Sequence, residues 1–227
     1  MTAVRSVGLI GLGAMGAGMG HCLLAKGHAL AVFARQASAA AAFVNAGAVA
    51  AASAAALGRE CALVFLSLPD APAVEAVLFG PDGLAQGLQP GSTVVDTSTI
   101  AATQARSIGD RLAQQGVTFL DAPVSGGQAG AQAGTLGCMI GGPAAAVDAV
   151  REVMGAFCKT ITHVGALGAG QTVKACNQVA TAGAMLGVAD ALALARAQGV
   201  DPALVRDVLL SGAARSFALE KHAPRIA

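Results

Sequence analysis

The chain has 227 residues, 55% of them apolar and 12% charged, with a mean hydropathy of +0.64. So much buriable surface with so few charges excludes a disordered chain, and the length allows one large domain or a domain with part of another. With 14 Lys and Arg against 13 Asp and Glu, a net charge of +1, and no basic run, neither nucleic acid nor an acidic membrane surface is an expected partner.

In chain order, Val4 to Ile10 is a short apolar run ending at Gly11, Ala14 to Lys26 carries helical periodicity stopped by Gly27, and Ala29 to Phe33 is a second apolar run. Strand, helix and strand within about thirty residues make a βαβ unit. Arg5 before an apolar segment has the look of a signal peptide, but the glycine spacing that follows has a better explanation in that unit. The alternation continues with an alanine-rich helix over Ser38 to Ala46, a strand over Cys61 to Leu68, a helix after Asp70, and a strand over Ser92 to Thr97. A helix to about Gln115 follows, then strands over Val117 to Leu120 and near Gly137 to Ile140. This pattern predicts an α/β fold of the Rossmann type, a doubly wound, mostly parallel sheet covered on both faces.

After Gly165 the strands stop. Gly170 to Arg196 reads as one long helix closed near Gly199, and Pro202 begins another that runs to about Leu210. The expected organisation is a dinucleotide-binding domain over residues 1–164 and a partial, truncated all-α substrate and dimerisation domain over 165–227. The segment from Ala175 to Ala195 is apolar enough to suggest a membrane span, but it contains Asn177, Gln178, Thr181 and Asp190. It is expected to be a buried or interface helix, with no membrane as partner.

The five cysteines form no CxxC pair and are expected to be reduced core thiols of a cytoplasmic protein. His21, His28, His163 and His222 show no zinc-type spacing, so no metal site is expected.

Gly11-Leu12-Gly13-Ala14-Met15-Gly16 fits G-x-G-x-x-G between strand and helix. Glycines there allow a tight turn and close approach of a pyrophosphate to a helix N-terminus, although the same turn also packs a helix on a strand without any ligand. About twenty residues on, where a carboxylate would read the ribose 2'-hydroxyl of NAD, the chain has Phe33-Ala34-Arg35-Gln36. With no carboxylate and a guanidinium suited to a 2'-phosphate, NADP is favoured and NAD remains possible; the alternative is a solvated strand-end charge.

Leu66-Ser67-Leu68-Pro69 and Asp96-Thr97-Ser98-Thr99 close strands, so Leu68, Pro69, Ser98 and Thr99 either border the nicotinamide half of the cofactor or serve as turn residues, Ser98 or Thr99 as a helix N-cap. Asp121-Ala122-Pro123-Val124-Ser125-Gly126-Gly127 offers a hydroxyl and uncovered backbone N–H groups to a small carboxylate, or is a plain loop. On the long helix, Lys174, Asn177, Gln178 and Thr181 form one polar stripe on an otherwise apolar rod, which faces solvent or lines a site. The apolar character of the other faces favours the site, where a lysine with a lowered pKa suits proton transfer.

GLIGLGAMG, DAPVSGG, GTLGCMIGG and GAGQTVKACNQ stand in an order and at a spacing by which the sequence resembles the β-hydroxyacid dehydrogenase family from about Val4 to its end. That family includes 3-hydroxyisobutyrate dehydrogenases, tartronate semialdehyde (2-hydroxy-3-oxopropionate) reductases and glyoxylate/succinic semialdehyde reductases. The resemblance implies an NADP(H)-dependent oxidoreductase of the 1.1.1 class, interconverting a small carboxylated aldehyde and its 3-hydroxyacid. It places substrate on Ser125, Gly126 and Gly127, catalysis on Lys174 and support on Asn177 and Gln178. Cofactor contacts fall on Gly11 to Gly16, Arg35, Leu68, Pro69, Ser98 and Thr99.

Two departures stand out. Many relatives carry Asn where this chain has Gln178, whereas tartronate semialdehyde reductases are similar in carrying Gln. Relatives also continue through further helices, with a lysine–aspartate pair closing over cofactor and substrate. Three expectations follow: a fragment, a cover supplied by another subunit, or a dinucleotide-binding protein with little turnover. Relatives acting on imines usually carry a different residue at the lysine position. The apolar faces of the 170–196 helix predict a homodimer or higher assembly.

Overall fold

The computed structural model describes residues 6–226; the expected strand start at Val4, and Arg5, lie outside the described residues. β1 (Val7–Ile10), α1 (Ala14–Ala25) and β2 (Leu30–Phe33) form the opening βαβ unit. There follow α2 (Ala37–Asn45), β3 (Val49–Ala50), α3 (Ala54–Glu60), β4 (Leu63–Leu66), α4 (Ala71–Phe79), β5 (Thr93–Asp96), α5 (Ala102–Ala113) and β6 (Thr118–Asp121). β7 (Val124–Ser125), α6 (Gly127–Ala133), β8 (Leu136–Gly141), α7 (Ala144–Met154) and β9 (Cys158–Gly165) complete the sheet region.

The sheet runs β3-β2-β1-β4-β5-β6-β8-β7, with β9 on β8. Pairing is parallel from β3 through β6, antiparallel where β8 meets β6 and β7, and parallel again between β8 and β9. The 3-2-1-4-5-6 order is that of a doubly wound nucleotide-binding sheet, and its direction reverses between β1 and β4. Ile10 is in register with Phe33 on one side and Leu66 on the other, so the carboxyl ends of three strands meet beside that reversal. Two apolar clusters cover the two faces: one includes Leu9, Met19, Leu23, Phe65, Ile140 and Phe157, the other Leu57, Val64, Leu78, Val94, Ile108 and Phe119.

The chain divides into two compact units, residues 1–174 and 175–227. α8 (Ala169–Ala197) starts in the first and continues in the second, followed by α9 (Pro202–Leu210) and α10 (Phe217–Ile226). Asp201 caps α9, its carboxylate accepting from the Ala203 N–H, with Pro202 in the first turn as the sequence predicts. α8 is long and apolar enough, by length and composition alone, to cross a membrane. From Ala175 to Gly187 it is exposed except for half-buried Asn177 and Ala184, so of the two expectations for that stretch, a buried or an interface helix, the buried one does not hold. Cys176 lies there and is exposed, unlike Cys61, Cys138 and Cys158, which are core thiols as expected.

Candidate active site

The glycine turn is shaped by contacts that only glycine permits. Gly11 adopts φ +96°, and a Cβ there would strike the Ser67 carbonyl; a Cβ on Gly16 would strike the Gly11 carbonyl. A Cβ on Gly13 would touch nothing and project into open space above the start of α1. That start has no side-chain cap and no acidic residue in its first turn, so its N–H groups are left for an acceptor from outside the helix. A cleft of about 760 Å³ opens over the turn, walled by Gly11 to Met15, Phe33 to Gln36 and Ser67 to Pro69. Room, bare backbone and helix start together fit the diphosphate of a dinucleotide.

Arg35 is exposed on the cleft wall just past β2 and forms no ion pair among the described residues. Leu68 and Pro69 line the same cleft. Ser98 is buried and acts behind the wall: its hydroxyl oxygen accepts from the Leu68 N–H at 2.9 Å, while its own N–H donates to Asp96 Oδ1 at 2.9 Å. Thr99 is exposed. Neither residue is an N-cap, because α5 starts at Ala102 and the N-cap position is Ala101, whose N–H donates to the Gln104 carboxamide oxygen.

Two buried carboxylates, whose contacts sequence reasoning did not reveal, stand at the ends of β5 and β6. Burial pushes Asp96 up to about 6, against hydrogen bonds from Ser98 that pull it down, and its Oδ2 has no hydrogen-bond partner among the described residues. Asp121 is also raised by burial, opposed by backbone hydrogen bonds and the Arg106 charge. Its Oδ1 accepts from the Gly168 N–H at 2.7 Å and its Oδ2 from the Gln171 N–H at 2.8 Å, so it fastens the start of α8 to β6. Gln171, another residue that sequence reasoning did not single out, is buried; its Nε2 donates to the Ser98 carbonyl at 2.8 Å and its Oε1 accepts from the Ile100 N–H at 3.2 Å. The only signal for it was its place in GAGQTVKACNQ.

Lys174, one turn further along α8, is only 9% exposed. Its Nζ donates to the Val124 carbonyl at 2.9 Å, beside half-buried Ser125 and exposed Gly126 and Gly127, and burial lowers its pKa from the ordinary lysine range. No ion pair holds it among the described residues. The amine is therefore brought to the Val124–Gly127 loop. In the second unit, Asn177 Nδ2 donates to Gln178 Oε1 at 3.2 Å, and the Thr181 hydroxyl donates to the Asn177 carbonyl at 2.8 Å.

Residues 6–165 match the family described as the NAD binding domain of 6-phosphogluconate dehydrogenase, and residues 168–227 match the NAD-binding region of NADP-dependent 3-hydroxyisobutyrate dehydrogenase. L-threonate dehydrogenase of Cupriavidus necator is 39% identical over 98% of this chain and 75% of its own length. The NAD-dependent L-serine dehydrogenase of Pseudomonas aeruginosa is 40% identical over 97% of the chain and 74% of its own. The structure of Mycobacterium tuberculosis 3-hydroxyisobutyrate dehydrogenase with L-serine superimposes with a TM-score of 0.91 at 31% identity, covering 97% of this chain and 75% of that one. The chain belongs to the β-hydroxyacid dehydrogenase family. It is an NAD(P)-dependent oxidoreductase with a Rossmann-type domain followed by helices.

Proposed function

We propose that the protein is an NADP(H)-dependent enzyme that interconverts a small carboxylated aldehyde, such as tartronate or methylmalonate semialdehyde, and its 3-hydroxyacid, with Lys174 as general acid and base. The observation that carries this reading is the Lys174 amine, withdrawn from water and held at the carbonyl of Val124, next to a loop of one serine and two glycines. The bound nicotinamide supplies or accepts the hydride. Ser125 and the N–H groups of Gly126 and Gly127 grip the substrate carboxylate and so fix its carbonyl carbon. Lys174 Nζ gives its proton to the developing alkoxide in reduction and takes it back in oxidation. Asn177 and Gln178 enter through the family resemblance alone, as groups that orient the substrate oxygen.

Cofactor preference differs between an NAD-dependent relative and an NADP-dependent family description, so it turns on the end of β2. There Arg35 offers a charge-assisted partner for a 2'-phosphate and no carboxylate competes. Residues 165–227 are proposed as a substrate and dimerisation domain. Exposed Val179, Met185, Leu186 and Leu194 on α8 support a homodimer or higher assembly through the 170–196 helix, which light scattering tests. The proposed location is the cytoplasm.

The test is NADPH oxidation with a panel of small carboxylated semialdehydes. Lys174→Ala is expected to abolish turnover while NADPH binding, followed by fluorescence, stays within about threefold. Arg35→Ala is expected to weaken NADPH by about 10- to 100-fold and leave NADH unchanged. Because burial lowers the lysine pKa, the hydroxyacid-oxidising rate rises with pH through a limb below the ordinary lysine value of about 10.4, and the reducing rate falls through it. NADPH binding without turnover on any member of the panel, or full activity in Lys174→Ala, overturns the proposal.

A further inference from the structure

Two hydrogen bonds join the end of β6 and the start of β7 to the start of α8 like rungs of a ladder. The Gln171 N–H donates to Asp121 Oδ2, and three residues further along both segments Lys174 Nζ donates to the Val124 carbonyl. Gln171 and Lys174 sit at i and i+3 on the helix and so share a face. The lower rung is held from a third direction by the Gln171 carboxamide, which takes the Ser98 carbonyl with its Nε2 and the Ile100 N–H with its Oε1. Ser98 in turn props Leu68, a wall of the cofactor cleft.

We propose that Gln171 is a positioning residue that holds the Lys174 amine against the Val124–Gly127 loop and ties that loop to the cofactor wall through Ser98. The role of the amine in proton transfer rests on the proposed function; its placement by Gln171 stands apart from that role. A rotation of α8 by a fraction of a turn would carry Nζ away from Val124. Nothing on Lys174 itself prevents this, since its side chain makes one hydrogen bond and no ion pair among the described residues. Gln171 opposes it with three hydrogen bonds, one from its backbone N–H to Asp121 at the end of β6 and two from its carboxamide to the segment between β5 and α5. The charged groups facing this joint are Asp121 and Asp96 at the strand ends and Arg106 on α5.

The test uses Gln171→Met, which keeps the length of the side chain and removes both carboxamide bonds. In the cofactor-free protein, amines are labelled with a water-soluble active ester and read peptide by peptide, with exposed Lys26 and Lys159 as references. Lys174 is expected to label at least about tenfold faster in the variant, with the reference lysines unchanged. In turnover, kcat is expected to fall about 10- to 100-fold with the substrate KM within about threefold, and the lysine limb of the pH profile to move up towards the ordinary value. Val74→Ala, a core truncation in α4, serves as the control for lost stability and is expected to leave Lys174 labelling unchanged.

Should Gln171→Met fail to fold, Gln171→Glu carries the test. The introduced carboxyl donates to the Ser98 carbonyl while protonated at low pH and repels it once ionised. Lys174 labelling relative to Lys26 is therefore expected to rise with pH more steeply in this variant than in the wild type. Wild-type labelling of Lys174 in either variant, with only a stability loss like that of Val74→Ala, overturns the proposal. Activity retained in Lys174→Ala would instead overturn the reading of the amine as acid and base, leaving the labelling result to decide on Gln171.

Discussion

The unit over residues 1–174 and the unit over 175–227 spend their apolar residues differently. In the first, both faces of the sheet are sealed by clusters of fully buried side chains. In the second, the cluster consists of Val188, Leu192, Ala218, Leu219 and Ala223, while Val179, Leu186, Leu194, Leu204, Val208 and Phe217 stay exposed. The difference shows where substitution is tolerated: a sealed sheet resists change at nearly every inward position, whereas the helices depend on a few.

The largest effect is expected from Gly16→Ala. Its Cβ would strike the Gly11 carbonyl, a backbone atom with nowhere to go. A loss of about 3 kcal/mol in stability and of measurable NADPH binding is expected, read by urea unfolding and fluorescence titration. Leu219→Ala removes the centre of the small helical cluster. A loss of about 2–3 kcal/mol is expected, confined to the second unit, with hydrogen exchange in β1, β4 and β5 unchanged; faster exchange there would erase the contrast between the units.

Asp96→Asn probes the sealed sheet from within. Its folded pKa is raised from 3.8 to about 6, so the protonated acid stabilises the fold below about pH 4, and that contribution is lost as pH rises through about 6. Between those limits the variant is expected to gain on the wild type by up to about 3 kcal/mol, measured as the change in their difference in unfolding free energy. The smallest effect is expected from Leu186→Glu on the exposed stretch of α8, within about 0.5 kcal/mol in a dissociated chain. A larger loss that disappears on dilution would locate the apolar surface at an interface between copies.

The alternating pattern of the sheet was legible because β1, β2 and β4 are runs without a polar side chain, and β5 and β6 keep an apolar pair between Thr and Asp, as strands buried on both faces tend to do. β9 escaped because Lys159, Thr160, Thr162 and His163 are exposed, leaving no apolar run to read. β3 and β7 have two residues each, too few for any period. Within the candidate site, the glycine turn announces itself locally, since its motif occupies six consecutive residues even though the Ser67 carbonyl that Gly11 must clear lies far along the chain. The partners of Lys174, Gln171 and Asp121 lie about fifty or more residues away and include backbone atoms that every residue possesses, so no sequence pattern marks them.

Gly16, Gly18 and Gly20 all lie in α1, and each is pressed against a different neighbour: the Gly11 carbonyl, the backbone of α6 and the ring of Phe43. Each glycine costs an isolated helix roughly 1 kcal/mol relative to alanine. A peptide of this segment would therefore be mostly coil in water, and its helicity in the protein is lent by the surrounding sheet and helices. The anion-attracting dipole at its start comes into being only once the tertiary structure has closed around it, which couples the birth of the proposed phosphate cradle to the late, cooperative part of folding.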